Sequence, residues 1–508
     1  VDRVVERGEV VYGITTGFGA FKDRLIPPDE VAQLQVNLLL SHCVGVGPAL
    51  PAEVVRAMII CRAHTLSLGY SGIRPATLGL IYDMLNAGIH PYVPEQGSVG
   101  ASGDLAPLSH MALILVGRGR AEWQGRMMPA AEALQGAGLE PVRLGAKEGV
   151  ALSNGTSLMS GLLSLALVDA RMLCDTADVV GALSLEALQG VPAAFDPRIH
   201  AARRHSGQME VAANIRRLTE GSSLLWNAEY GMRNAELLRT GQDIPNSALS
   251  KVQDAYSLRC MPQVHGPVRD AAAYVQNVLL AELNSANDNP LVFGAGPLGE
   301  SDDGSFAILS GGNFHGAPLS VAADFLGIAL CGLANISERR QARMVDVSAH
   351  GGLFPPFLVE NGGLNSGFML VQYTSAALAS ENKSLAHPAS VDTIPTSANT
   401  EDHVSMGPIA ARHARAIVAN TARVLALEAM MAAQAIDFRL RKDPSGRLGA
   451  GTRAAYDLVR SRIPFLERDE DMQPHIAAAI ELVMSGELAR ALAVQPDSTT
   501  VAVLSQSS

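Results

Sequence analysis

Aromatic side chains are scarce in this sequence. Phe, Tyr and Trp make up 5% of 508 residues, against a hydrophobic share of 48%. A core of that size has to be packed from Ala, Leu, Val and Met, which favours close-packed helices. Cysteine is scarcer still. Cys43, Cys61, Cys174, Cys260 and Cys331 are scattered without CxxC spacing, which gives no zinc site and suits a reducing, cytoplasmic setting. Basic residues are outnumbered, 39 Lys and Arg to 50 Asp and Glu, for a net charge of −11. With no dense Lys/Arg stripe, nucleic acid is not expected as a partner. There is no HExxH, no P-loop and no GxGxxG after a strand. No signal peptide is evident, and no uninterrupted apolar run is read as long enough to cross a bilayer, so no membrane partner is expected. The length allows a large core and more than one structural unit.

What the chain does have is the string Gly97-Ser98-Val99-Gly100-Ala101-Ser102-Gly103-Asp104-Leu105-Ala106-Pro107-Leu108. Small side chains here let backbone groups approach closely, and Gly103 can take dihedrals closed to other residues. The plain reading is a tight turn with Asp104 as the N-cap of a following helix. A nucleophile elbow, G-x-S-x-G, is begun by Gly100-Ala101-Ser102-Gly103 but spoiled by Asp104 in the last position.

Around it the periodicity is helical. Residues 29–43 follow an acidic start at Asp29-Glu30 and end near Ser41-His42. Helices are expected over about 52–69, 75–87 and 105–117, with a polar hairpin at 118–128. Longer patterns run from Asn154 to about Gly190 and over 266–285, 316–345, 367–385, 406–437 and 471–494. Helices of that length need neighbours throughout, so the chain reads as mainly α, with a long helical bundle over 151–508 and a smaller N-terminal region over 1–150. Residues 194–250 read as polar and irregular, with Arg203, Arg204, Arg216 and Arg217 on a solvated face.

Several polar residues have ordinary explanations. Tyr12, in the glycine-rich 11–19 loop, reads as a core residue with a bonded hydroxyl. His42 reads as a helix-end residue, Asn154 as an N-cap and Glu401 as an exposed carboxylate at a helix start. Gln253, Tyr256 and Arg259 are three apart and share a face on any helical turn. Arg259 can grip a carboxylate with its planar fork or pair with a nearby Asp. Asn287-Asp288-Asn289-Pro290 and Gly311–His315 read as turns.

Taken together, these strings resemble the histidine and aromatic amino-acid ammonia-lyases over nearly the whole chain. The resemblance implies the long-helix fold of the fumarase/aspartase-like superfamily. It implies that Ala101, Ser102 and Gly103 cyclise to the electrophile methylidene-imidazolone (MIO), with no metal or diffusible cofactor. It makes Tyr12 a candidate base on a mobile lid and Asn154 a partner of the MIO carbonyl and the substrate. Gln253 and Arg259 become carboxylate ligands, with Arg259 the anchor; Tyr256 falls beside the amine and Phe314 beside the electrophile. Ser41-His42 and Glu401 match the histidine members, whereas phenylalanine members tend to carry Phe-Leu and Gln there. The implied reaction is elimination of ammonia from L-histidine to trans-urocanate in a cytoplasmic homotetramer with shared active sites. Tyrosine or phenylalanine lyases and aminomutases are the alternatives within the family, and a non-catalytic helical scaffold the alternative outside it. The stretch before Lys251 is longer than in compact histidine members. The direct opening at Val1 suggests that the natural N-terminus is missing.

Overall fold

The computed structural model describes residues 1–227, 251–294 and 306–493. It is mainly helical. Among the described residues the longest helices are Ser157–Ala187, Met261–Leu283, Ala317–Val345 and Gly407–Lys442. The last, at 36 residues, extends roughly 54 Å at about 1.5 Å per residue. Its Ala-, Leu- and Met-rich sequence has high helix propensity. Its buried set, from Ala410, Ala411 and Ala414 through Ala422, Val424, Leu425 and Ala426, goes beyond a single stripe, the mark of a core helix.

One expectation needs correction. Three of these helices, Ser157–Ala187, Ala317–Val345 and Gly407–Lys442, are long and apolar enough by length and composition to cross a membrane. Within the protein, 67%, 61% and 83% of their most apolar windows are buried. Their apolarity is used for packing helix against protein.

The contacts divide the chain into two discontinuous units, not at one point near residue 150. The first comprises Val1–Leu167, Tyr274–Phe325 and Pro388–Arg415; the second comprises Val168–Ala273, Leu326–His387 and Ala416–Ser508. Long helices contribute residues to both, which is why a linear boundary is not visible in the sequence.

In the first unit, helices Val31–His42, Ala52–Ser67, Pro75–Asn86 and Ala106–Leu115 fall close to the expected spans. Pro75 opens its helix at a position where a missing N–H costs nothing. The hairpin is real: Arg120–Trp123 pairs antiparallel with Arg126–Pro129, turning through Gln124 and Gly125, both at positive φ. Val46–Ala49 pairs with Pro94–Gln96, so the chain just after His42 lies alongside the chain just before Gly97.

In the second unit, the stretch read as irregular contains helices Pro197–Arg203 and Ser206–Leu218. Val211, Ala212, Ile215 and Leu218 give the latter a buried stripe, which the dense charge obscured. Arg216 is not simply solvated, since its Nη1 donates to the Phe195 carbonyl at 2.6 Å. Buried charges are paired here, as in Arg340 with Glu428 and His265 with Asp178. Most of the long stretch before Lys251, residues 228–250, lies outside the described residues.

Candidate active site

The Ala101–Gly103 loop is held from several sides. Gly100, Gly103 and Leu105 all have positive φ, and the two glycines take that conformation without a Cβ penalty. Met406 N donates to the Val99 carbonyl at 2.9 Å, and Ser405 Oγ donates to the Gly100 carbonyl at 3.1 Å. Ala101 packs with Val404 and Met406 in a small apolar cluster. At Gly103 a side chain is impossible, because a Cβ would overlap the Gly155 carbonyl.

Asp104 does not cap the helix that follows it. Its side chain is fully buried and accepts from Leu158 N and Met159 N. It therefore caps the Ser157–Ala187 helix from a distance in sequence. Burial pushes its pKa up to about 7, against the pull of those two amides and of Arg62. The helices Ala317–Val345 and Gly407–Lys442 start close by: a Cβ on Gly316 or Gly407 would overlap or crowd the Met159 sulfur. Three helix N-termini therefore converge beneath the loop. Each carries about half a positive elementary charge, which favours negative charge developing above them.

Asn154 sits after the Glu148–Ser153 helix, as its C-cap and not as an N-cap. Its Nδ2 donates to the Ser102 carbonyl at 3.2 Å. Glu401 is also not at a helix start. It forms a backbone bridge with Thr396 and is half-buried. Its Oε1 accepts from Ser102 Oγ at 2.9 Å and its Oε2 from Thr396 Oγ1 at 2.9 Å. Ser397, Ala398 and Asn399 between them all have positive φ, a strained run that persists only where its surroundings enforce it.

A cavity of about 210 Å³ is lined by Ser41, His42, Ala101, Leu105 and Glu401, among others. Ser41 Oγ donates to the Leu38 carbonyl at 3.0 Å and lies 3.0 Å from His42 Nδ1. With the hydroxyl proton on Leu38, Nδ1 carries its hydrogen and Nε2 is left as an acceptor. Burial lowers the His42 pKa, opposed by the Leu38 carbonyl and Glu401, so the ring is neutral at pH 7. Tyr12 lies within the field of the same carboxylate. Burial raises its pKa, a hydrogen bond with the Gly19 backbone works against this, and the Glu401 charge adds to the rise. Gly19 in turn abuts Ser397.

The first unit thus gathers Tyr12, Ser41, His42, Ala101, Ser102, Gly103, Asn154 and Glu401. Phe314 is half-buried in the turn before Ala317. Its neighbour His315 ties that turn to the Glu401 segment, with Nε2 3.2 Å from the His403 carbonyl and the two rings stacked 5.7 Å apart. Gln253, Tyr256 and Arg259 belong to the second unit. They do not share one helical face, because the helix spans only Tyr256–Arg259 and Gln253 is in exposed coil. The Arg259 guanidinium lies 4.7 Å from the Tyr256 ring centroid. Among the described residues it pairs with no carboxylate, and its buried Nε has no partner.

Sequence reading missed the layer behind the loop. Arg62 is completely buried and donates to the Asn287 side chain and the Ala151 carbonyl. Lys147 pairs with Asp288 at 2.9 Å, both fully buried. The signals were an arginine on the apolar face of Ala52–Ser67 and the density of Asx residues at 287–289. Among the described residues no cluster of His, Cys, Asp and Glu is arranged to hold a metal, and all five cysteines are free.

A family model described as aromatic amino acid lyase matches residues 1–461. The chain belongs to that family. It is 52% identical over 498 residues to the histidine ammonia-lyase of Chloroflexus aurantiacus, covering 98% of this chain and 90% of that protein. The crystal structure of histidine ammonia-lyase from Trypanosoma cruzi superposes with a TM-score of 0.84 at 40% identity, over 97% of this chain and 87% of that one. Tyrosine aminomutase from Streptomyces globisporus superposes with a TM-score of 0.88 at 39% identity, over 98% and 91%. The fold is therefore common to aromatic amino acid lyases and aminomutases, and side chains in the cavity have to discriminate between substrates.

Proposed function

We propose that this protein eliminates ammonia from L-histidine to give trans-urocanate, using an MIO electrophile formed from Ala101, Ser102 and Gly103. The observation that carries the reading is Glu401 bonded to Ser102 Oγ, with Ser41 and His42 lining the same cavity. A carboxylate acceptor and a neutral imidazole facing the substrate ring suit imidazole, whose nitrogens need polar partners in a closed site. Each unsatisfied polar group would cost about 1–3 kcal/mol. Phenylalanine gains nothing from either.

The triplet fits the group: position 103 has no room for a side chain, and the Ser102 hydroxyl faces a carboxylate. MIO supplies an electrophile that makes ammonia a better leaving group and the β-proton easier to remove. The remaining work belongs to side chains. Arg259 grips the substrate carboxylate with two parallel N–H donors. Gln253 and Asn154 orient carboxylate and loop, Tyr256 lies beside the amine and Phe314 beside the loop. Tyr12 or Glu401 takes the β-proton. Burial, and after it the Glu401 anion, raise the phenol's pKa, so for Tyr12 to do so the charge of Glu401 has first to be offset. Substrate imidazole donating to Glu401 provides that offset.

Arg259 and its neighbours come from a second subunit in this reading, in a cytoplasmic homotetramer. Tyr256, 71% exposed and stacked with Arg259, is open to such a neighbour. The test is steady-state kinetics of purified protein on L-histidine, L-tyrosine and L-phenylalanine, with products identified. A higher kcat/KM for histidine with urocanate as product is expected. Preference for tyrosine, or a β-amino acid product, would point to the lyase or aminomutase alternatives, and turnover of none to a scaffold.

A further inference from the structure

Building on the reading of Ala101-Ser102-Gly103 as an MIO precursor, we propose that Arg62 and Asn287, acting through Gly155, are the positioning residues that brace this tripeptide for cyclisation. The ring closes when the Gly103 amide nitrogen bonds to the Ala101 carbonyl carbon, its proton passing to the carbonyl oxygen. That hydroxyl leaves as water with the Ser102 amide proton, forming C=N. The Ser102 hydroxyl then leaves with the Cα proton as a second water, forming the exocyclic C=C. No oxidant is needed. What is needed is close approach of two groups that ordinary backbone keeps apart.

The neighbours of those two groups are pinned. Gly155 N donates to the Ser102 carbonyl at 3.3 Å, and Asp104 N donates to the Gly155 carbonyl at 2.7 Å. Asn154 Nδ2 adds a second donor on the Ser102 carbonyl at 3.2 Å. Between these fixed points, the Gly103 amide and the Ala101 carbonyl have no hydrogen-bond partner among the described residues. Backbone groups inside a protein are nearly always paired, and here the unpaired ones are the nucleophile and the electrophile of the closure.

The pressure on them comes through Gly155. A Cβ on Gly103 would lie 2.7 Å from the Gly155 Cα. A Cβ on Gly155, at φ +139°, would lie 2.7 Å from the Asn287 carbonyl oxygen and 2.8 Å from its Oδ1, and would overlap Arg62 Nη1. Gly155 is thus clamped between Gly103 and the Arg62–Asn287 pair. Arg62 Nη1 donates to Asn287 Oδ1 at 3.3 Å and Nη2 to the Ala151 carbonyl, while Asn287 Nδ2 donates to Thr156 Oγ1 at 2.9 Å. The clamp therefore holds both sides of Gly155.

The experiment is mass spectrometry of freshly folded full-length protein and of its peptide spanning residues 101–103, followed over time. Wild type, Arg62→Lys, Gly155→Ala and Thr77→Val are compared, with circular dichroism on each. Arg62→Lys keeps the charge and loses the fork. Thr77→Val removes a buried hydrogen bond to Glu148 without touching Arg62, Asn287 or Gly155. Wild type and Thr77→Val should become two waters lighter. Folded Arg62→Lys should cyclise at least tenfold more slowly, and so should Gly155→Ala if it folds. Dehydration of Arg62→Lys at the wild-type rate would overturn the brace, as would equal slowing by Thr77→Val. Wild type that keeps both waters would instead overturn the electrophile reading, and the brace with it.

Discussion

Ser102 Oγ and Glu401 Oε1 are 2.9 Å apart. Ser102→Ala keeps the β-carbon but removes the hydroxyl whose loss as water makes that carbon the methylene. It should fold, lose nearly all turnover and fail to show the mass deficit; retention of most activity would defeat the assignment. Arg259→Lys keeps a positive charge without the planar fork. Its kcat/KM should drop on the order of tenfold to a hundredfold, whereas inhibition by the decarboxylated substrate analogue should change little. Equal losses would make Arg259 structural. Glu401→Gln separates the two candidate bases. If Tyr12 is the base, removing the anion lowers its pKa, so the acid limb of the kcat/KM profile moves to lower pH. If Glu401 is the base, activity collapses without that shift.

At the scale of elements, Asp104 joins the loop to the start of the Ser157–Ala187 helix. Its pKa is about 7 in the folded protein, against about 3.9 for a free aspartate. Between those values the folded state holds a proton that the unfolded state has released. The contribution is full below about pH 4 and is lost as pH rises to about 7, on the order of a few kcal/mol. Asp104→Asn keeps an acceptor for the helix amides and has no such titration. Denaturant midpoints measured from pH 4 to 8 should therefore fall more steeply for wild type than for Asp104→Asn. Parallel curves would remove Asp104 from the balance. Helix positions such as Ala106–Leu115 were legible because apolar spacing and breakers are local signals. The capping partner of Asp104 was not, since Leu158 and Met159 lie 54 and 55 residues away. The Gln253–Arg259 spacing misled for a related reason: three-residue spacing makes a shared face only where a helix exists, and the helix covers Tyr256–Arg259 alone.

At the scale of the whole molecule, the Ser102 loop and Arg259 lie in different compact units of the chain. If active sites are shared between subunits, co-expression of Ser102→Ala with Arg259→Lys should give more activity than the two variants show when expressed separately. Mixed oligomers without recovery would confine each site to one chain. Substrate choice is the property of the assembled cavity. Replacing Ser41-His42 by Phe-Leu and Glu401 by Gln should suppress histidine turnover by leaving the imidazole nitrogens without partners, and phenylalanine turnover should rise relative to histidine in the same assay. Unchanged histidine kinetics would show that the ring is read elsewhere.

The family, the mainly helical class and the tripeptide were readable along the chain, because these rest on local strings and on periodicity. The sequence also supplied Ser41, His42, Asn154 and Glu401 as candidates, with ordinary capping or surface roles beside the functional ones. Their partners came from the folded chain alone. It placed Glu401 on Ser102 and Asn154 on the Ser102 carbonyl, and it buried Arg62 and Asn287 behind Gly155. The difference is one of range. Propensity and hydrophobic period act over a few residues, whereas the partner of a buried polar group is chosen by packing across 299 residues for Ser102 and Glu401 and 225 for Arg62 and Asn287.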